Sequence, residues 1–314
     1  MNYRVLPSSN IDAQKWNDCV QRYAMDIYNE YHFLNAVCRD HWFGFVWGDY
    51  EKILPFYQKK KWGFIPYICM PPFCQKFDNR SLSPSEWQEA FTYLKSNNLK
   101  LDYAVTENKN NENWEIRKNY ILNKTNKTAQ EIQDNYSGLL KKNLKRANSE
   151  LRLDVEFSHT AIETFLASLP LFQSLVLDKF AHVFWKLKRT HLKFCYAIDI
   201  NTNQALAILM YVKYSKKAYL LFPYTSEEGK KRQAMSFLIN ALVEGDSVEI
   251  VDFEGSNIDS IANFYAQFGA VKQEYWTIHW KKSFFHIGNS FLANYGYLCT
   301  PIFLEWVLTI FFNP

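Results

Sequence analysis

Residues 251–276 read VDFEGSNIDSIANFYAQFGAVKQEYW. The stretch opens on the end of a short apolar-rich run, 248–253, of the length of a buried strand. Glu254-Gly255-Ser256 breaks that run, and Ile258 to Gln267 then has the spacing of a short helix. Phe268-Gly269 turns the chain into 275–280, rich in aromatic and β-branched residues, the composition of a second strand. Working upstream, Met235, Leu238, Ile239, Leu242 and Val243 recur at spacings of three and four, and Gly245 follows them, so a helix stopped by glycine precedes the strand. Before it lie three strand candidates, 194–198, 205–214 and 218–222, separated by Asn201-Thr202-Asn203 and by Lys216-Lys217. A strand at 153–157 and a helix at 160–175 come earlier still. The late order is three strands, helix, strand, helix, strand.

The rest of the chain shows the same alternation. A helix is expected after Ser9 and Asn10 and another through residues 28–37. The runs 42–47, 53–57 and 63–68 read as an antiparallel meander, with Lys59, Lys60 and Lys61 between the last two. Pro71 and Pro72 force 70–75 out of regular structure, because proline has no N–H for a ladder. Ser83, Pro84 and Glu86 are a helix-start signal ahead of Trp87, Phe91 and Leu94. Strands are expected at 101–105 and 120–122. A polar segment, 123–135, leads to a helix with Leu139, Leu140, Leu144 and Ala147 on one face and Lys141, Lys142, Lys145 and Arg146 on the other. That basic face is either a solvated surface or a wall contacting phosphate.

With 314 residues the chain is long enough for two domains. Its 25 Phe, 20 Tyr and 10 Trp against only 10 Gly and 10 Pro point to ordered, aromatic-rich cores. A formal charge of +4 is too small to make the whole surface attract nucleic acid. The six cysteines have no CxxC pair and no His at zinc-finger spacing, and none of the seven histidines forms an HxxxH pair, so no metal is expected. The first residues, MNYRVLPSSN, lack the apolar stretch of a signal peptide, which predicts reduced cysteines and a cytoplasmic location. The apolar segment PIFLEWVLTIFF, 301–312, is too short to span a bilayer and is read as a docked helix, a peripheral membrane contact or a dimer seam.

The late strand and helix order resembles the core of the GNAT superfamily. Residues 251–276, with Asp252-Phe253, then Gly255, then a short helix ending in Phe268-Gly269, resemble the late segment of FemABX-like acyltransferase domains. Tyr136 and KNLKRAN, 142–148, resemble the segment that opens the second GNAT domain in that group. ILPFYQKKKWGFIPYICMPPFCQ, 53–75, resembles the degenerate first domain of such tandem proteins, especially those of an uncharacterised bacterial branch. The resemblance implies an α/β fold of α+β character, with two tandem GNAT-like domains whose mixed central sheets are flanked by helices. The expected division is a degenerate domain at 1–134, a second domain at 135–290 with the basic entry helix, and an apolar tail at 291–314.

The resemblance also implies an acyl- or aminoacyl-transferase that forms an amide on an amine of a cell-envelope, lipid or peptide precursor. The donor would be acyl-CoA or aminoacyl-tRNA. Acetyl-CoA-dependent members cradle pyrophosphate in a Gln/Arg-x-x-Gly-x-Gly/Ala loop, whereas here Gly229 and Ala234 are the small residues between Ser226 and the following helix. FemX-like members place a Phe-Lys pair in the last short helix, and this chain has Phe264-Tyr265. Losing that lysine removes a fixed positive charge from the place where an oxyanion would develop.

Amide formation needs a deprotonated amine, a donor for the carbonyl oxygen and a proton for the leaving group. Glu254, just past a buried strand, suits a general base, or alternatively a helix cap or an ion pair. Tyr265 suits a proton donor and Tyr224 a substrate contact, with packing the competing reading for both. Candidate substrate contacts also include Gln75 on the irregular segment, Lys142, Lys145 and Arg146 on the basic helix, Arg232 and Gln233 in the loop, Ser256 and Phe264. Ser256 reads more readily as an N-cap than as a nucleophile, since no nucleophile-elbow pattern surrounds it. Three functions stay open: a transferase, a GNAT-like binding module without turnover, and an RNA-binding protein using the basic face. The transferase requires that paired strands diverge near Phe222 and Val251.

Overall fold

The computed structural model describes residues 3–110, 113–155, 186–187, 192–245, 248–255 and 257–282. The helix expected at 160–175, Ser256 and the tail at 291–314 lie outside the described residues. The chain forms two compact units, divided at 117/118 and again at 273/274.

The first unit begins with β1 (Tyr3–Pro7) and α1 (Ala13–Arg22). The Asp12 carboxylate starts α1 by accepting from the N–H groups of Gln14 and Lys15, and Trp16, Cys19 and Val20 form its buried stripe. Next come α2 (Tyr31–Cys38), β2 (Phe43–Trp47) and β3 (Lys52–Phe56). The strands β1, β2 and β3 make one antiparallel sheet. Gly44 in β2 is required by close packing, because a Cβ there would lie 2.4 Å from the Trp16 ring. The core around it is aromatic, with Trp16, Phe45 and Trp47 all fully buried.

β4 (Gln58–Lys61) and β5 (Ile65–Ile68) do not extend this sheet. The expected meander is therefore divided between two sheets. The reason is charge: β3 is buried on both faces beyond Lys52, and Lys59, Lys60 and Lys61 cannot follow it there, so β4 becomes an edge strand instead. Strand β5 runs parallel to β6 (Lys100–Val105), to which it is joined through α3 (Pro84–Ser96). Helix α3 starts where the sequence signals it, and its start is a capping box, with the Ser83 hydroxyl accepting from the Glu86 N–H and the Glu86 carboxylate accepting from the Ser83 N–H.

The second unit contains β7 (Glu115–Asn123) from Lys118 onward, α4 (Ala129–Asp134), α5 (Gly138–Glu150) and β8 (Leu151–Asp154). It continues through β9 (Leu192–Asp199), β10 (Ala205–Tyr214), β11 (Lys217–Thr225), α6 (Glu227–Lys231) and α7 (Ala234–Glu244) to β12 (Ile250–Asp252) and α8 (Asp259–Ala266). The strand order is β7-β12-β11-β10-β9-β8. Helix α7 packs on β9 and β10 and against α5. The buried stripe of α5 is Leu140, Leu144 and Ala147, whereas Leu139, expected on the same face, is 62% exposed. A residue adjacent in a helix sits about 100° away, which takes Leu139 off the stripe.

Last comes β13 (Val271–Lys281), whose residues from Glu274 onward belong to the first unit and pair antiparallel with β6, from Trp276 opposite Val105 to Lys281 opposite Lys100. On this strand His279 is held between two carboxylates, with Nδ1 3.0 Å from Asp102 and Nε2 3.3 Å from Glu115. No described helix is long and apolar enough to cross a membrane.

Candidate active site

The site grows out of the way β11 meets β12. The two are parallel and paired only through Lys217 opposite Ile250, Ala218 opposite Val251 and Tyr219 opposite Asp252. Beyond Asp252 the chain keeps to β7, where the Phe253 N–H donates to the Tyr120 carbonyl at 3.0 Å. Strand β11 continues to Thr225 on its β10 side, through a bulge that leaves Leu221 without an opposite residue, since Met210 faces Phe222 and Tyr211 faces Leu220. A bulge increases local twist and re-aims the strand. Having parted from β12, this stretch of β11 behaves as an edge, which explains why it tolerates Pro223 and runs past Phe222, where the sequence pattern ends it.

The divergence thus begins after Tyr219 and Asp252, close to the expected place. Its flanks are packed: Leu220, Leu221, Phe222, Phe253 and Glu254 are all at most 6% exposed.

At the end of β12 the backbone makes a tight turn, with Glu254 at φ +63° and Gly255 at φ +69°. A non-glycine residue with positive φ costs on the order of 1 kcal/mol and needs support. Asp252 supplies it: one carboxylate oxygen accepts from the Glu254 N–H at 3.0 Å and from the Asn119 amide at 3.0 Å. Asp252 is fully buried. Neither Asp252 nor Asn119 was among the sequence-derived candidates, although a carboxylate inside an apolar strand is itself a signal of buried polar chemistry nearby.

Tyr265 on α8 is 3% exposed, its ring 4.5 Å from that of Phe253 and 6.0 Å from that of Tyr120. Burial, and then the negative charges of Glu254 and Asp252, raise its pKa well above the ordinary tyrosine value, so the phenol keeps its proton at neutral pH. A group in that state can give a proton and is a poor base. Phe264, half-buried, packs tilted against the Tyr265 ring at 5.8 Å and edge-to-face against the Phe268 ring at 5.4 Å. Helix α8 has Ile258 at its N-cap with no side-chain cap. Tyr224 sits opposite Ile208 on the stretch of β11 beyond β12, half-buried, its pKa raised by burial and then by Glu227. Glu254, Tyr265 and Phe264 therefore cluster at the end of β12, where α8 packs on Phe253 and Tyr120, while Tyr224 lies on the stretch of β11 that has left β12.

The loop after β11 is a folded helix. Ser226 caps α6 by accepting from the Gly229 N–H, and a Cβ on Gly229 would lie 2.4 Å from the Leu206 carbonyl oxygen. This glycine is needed to seat α6 on β10, so its small size is not space for a phosphate. Gln233 precedes α7 in the left-handed region at φ +59°, with its side chain bonded to the Lys230 carbonyl at 3.2 Å and to the Ser236 hydroxyl at 3.3 Å. The cations are paired locally, Lys230 with Glu227 and Lys231 with Glu228. Arg232 joins three acids, Glu228 at 2.8 Å, Asp199 at 3.1 Å and Glu150 at 4.0 Å.

Arg146 of the basic helix reaches the Lys231 carbonyl. Arg146, Glu150, Asn201, Lys231 and Arg232 together line a cleft of about 440 Å³. Lys142 and Lys145 are exposed on α5. Gln75 belongs to the first unit, half-buried, its side-chain oxygen accepting from the buried Lys76 ammonium at 2.8 Å. Burial pushes the Cys19 thiol up to about 11 and the Cys195 thiol up to about 12, so neither offers a thiolate at neutral pH.

Among solved structures, FemX is similar to 88% of this chain over 96% of its own length, at 10% identity and a TM-score of 0.60. A tandem GNAT protein from the clavulanic acid biosynthesis pathway is similar over 88% of this chain and 97% of its own, at 11% identity and a TM-score of 0.53. The C-terminal domain of a putative lysylphosphatidylglycerol synthetase from Agrobacterium fabrum is similar over 84% of this chain and 90% of its own, at 10% identity and a TM-score of 0.52. No protein-family model and no curated protein matches the chain. The fold is FemABX/GNAT-like, a mixed α/β arrangement of the tandem GNAT kind.

Proposed function

We propose that the protein is an amide-forming N-acyltransferase, with the reaction centre where β11 leaves β12 in the second unit. The observation that carries this reading is the limited pairing of those two parallel strands, which ends at Tyr219 and Asp252 beside a bulge at Leu221. Parted strands leave backbone groups for a donor arm to meet. In this reading Glu254 takes the proton from the attacking amine, Tyr265 supplies one to the leaving oxygen, and Asp252 and Asn119 position the Glu254 backbone. Phe264 and Tyr224 contact the substrate.

For the donor, we infer an aminoacyl ester such as aminoacyl-tRNA in preference to acyl-CoA. Gly229 is occupied by packing on Leu206, and Gln233 stands immediately before α7 with its side chain tied along the helix start. Both features argue against a glycine-lined pyrophosphate cradle. Lys142, Lys145, Arg146 and Arg232 would meet the phosphates of tRNA. The acceptor is an amine of a cell-envelope, lipid or peptide precursor.

A binding module without turnover is the second reading, and the burial of Phe222, Phe253 and Glu254 favours it. Thermal shift and native mass spectrometry against charged tRNA, acetyl-CoA and longer acyl-CoAs distinguish the two. The transferase reading expects charged tRNA to raise the melting temperature and an amide product to form with an amine acceptor. Absence of binding by every donor at saturating concentration selects the binding module.

A further inference from the structure

The hairpin β4–β5 ends in Trp62 and Phe64, which are 66% and 71% exposed. Trp62 and Gly63 both have positive φ, at 53° and 82°, and the Phe64 N–H closes the turn on the Lys61 carbonyl at 3.4 Å. Turns with two left-handed central residues favour Asn, Asp and Gly, so a tryptophan there works against the local preference of the backbone. From residue 57 to 70 the chain reads YQKKKWGFIPYICM, with three lysines and no acidic residue.

The lysines on edge strand β4 have an ordinary explanation, since charge on an edge discourages pairing with another sheet. That explanation leaves out the two aromatic side chains, which expose large apolar area at the tip where a polar turn would fold as well. Tryptophan is favoured where water meets lipid, and lysines beside it gain further attraction from an anionic surface. The ammonium of Lys61 lies 4.6 Å over the Trp62 ring, and that of Lys59 5.1 Å over the Tyr57 ring. The Lys61 contact occupies a face of Trp62 that a stacked base would need, which favours lipid over single-stranded nucleic acid as the partner.

We propose that the β4–β5 tip is a contact for an anionic lipid surface, with Trp62 and Phe64 entering the headgroup region and Lys59, Lys60 and Lys61 meeting the phosphates. The contact is independent of the transferase reading, because a protein without turnover would bind the same surface.

The test is co-flotation of the full-length protein with vesicles of phosphatidylcholine alone and of phosphatidylcholine mixed with phosphatidylglycerol. Native protein is expected to float with the anionic vesicles and to be released by salt. Trp62→Ser/Phe64→Ser should weaken that binding by roughly tenfold or more, and Lys59→Gln/Lys60→Gln/Lys61→Gln should weaken it comparably. Both variants should melt like the native protein, since Lys60, Trp62 and Phe64 are exposed and Lys59 and Lys61 are no more than half-buried on an edge strand. The proposal is overturned if native protein ignores anionic vesicles, or if the Trp62/Phe64 variant floats as well as native, which would move any membrane contact elsewhere, such as to 291–314. It also fails if poly(U), and no vesicle, is bound in a Trp62-dependent way.

Discussion

Among the described residues each unit contains a strand–helix–strand crossover between parallel neighbours, β5–α3–β6 in the first and β11–α6–α7–β12 in the second, and the two differ beyond their last paired residues. In the first unit β5 and β6 pair at Ile68 opposite Leu101. The chain then returns to β6: the Ala104 N–H donates to the Met70 sulfur at 3.3 Å, the Phe77 N–H donates to the Ala104 carbonyl at 2.8 Å, and Phe77 forms a parallel bridge with Val105. The space beside β6 is closed by the protein's own backbone. In the second unit, among the described residues, no such segment pairs between the far stretch of β11 and the turn after Asp252. Closure by backbone consumes the N–H and C=O groups that a donor arm would use, which supports the proposal that the chemistry lies in the second unit.

The largest effect expected is on turnover. Glu254→Gln and Tyr265→Phe should each lower kcat by about a hundredfold or more with little change in melting temperature, whereas Gln75→Ala in the first unit should leave kcat within a few-fold of native. Equal losses from all three changes, in steady-state assays, would break the assignment of chemistry to one unit.

Trp16→Ala tests the aromatic core of the first unit. It removes a fully buried ring together with the hydrogen bond from its indole N–H to the Asn29 carbonyl at 2.6 Å. A loss of roughly 3–5 kcal/mol is expected from urea unfolding. A cost below about 1 kcal/mol would mean that this core is far looser than its packing.

Gly229→Ala sharpens the second half of the comparison. The added methyl meets the Leu206 carbonyl and should destabilise the protein by about 1–3 kcal/mol. If instead stability were unchanged and acetyl-CoA binding were lost, Gly229 would be a phosphate-cradling residue, and the preference for an aminoacyl ester over acyl-CoA would be wrong.

The smallest effect is electrostatic and lies in the first unit. The hydrogen bond to Asp102 raises the His279 pKa above 6.5 more than burial lowers it, and the charges of Asp102 and Glu115 add to the rise against Arg117. A raised folded-state value means the stabilisation is full below the unfolded pKa and disappears as pH climbs through the folded one. Native protein should therefore lose roughly 1–3 °C more in Tm than His279→Gln as the pH is taken from below 6.5 to above the folded value. Parallel curves for the two proteins would show that the His279 pairs contribute nothing measurable.

Legibility followed local physics. The helix start at Ser83 and Glu86, the stop of α7 before Gly245 and the turn after Asp252 were readable because each depends on residues within a few positions. The meander of the first half was misread because strand periodicity does not say which sheet a strand joins; the burial of β3 and the lysines of β4 decide that together. Leu139 was placed on the wrong side of α5 for a related reason, that an apolar residue is only a candidate for burial until the packed face is known. Glu254 and Tyr265 were named from their places just past a strand and in the short helix that follows, while Asp252 and Asn119 were missed because their partnership spans the distance from β7 to β12.

By itself the amino-acid order indicated most of the strands and helices, since periodicity, caps and turns are short-range properties, but not the helices at Ala129–Asp134 and Glu227–Lys231, which lie in stretches that read as polar connections. Only the tertiary structure decided that Gly229 serves packing, that Arg232 is shared among three acids, and that β11 and β12 part after Tyr219 and Asp252. Those outcomes depend on carbonyls and carboxylates brought together from distant segments, where burial and charge, and not local propensity, set the energy.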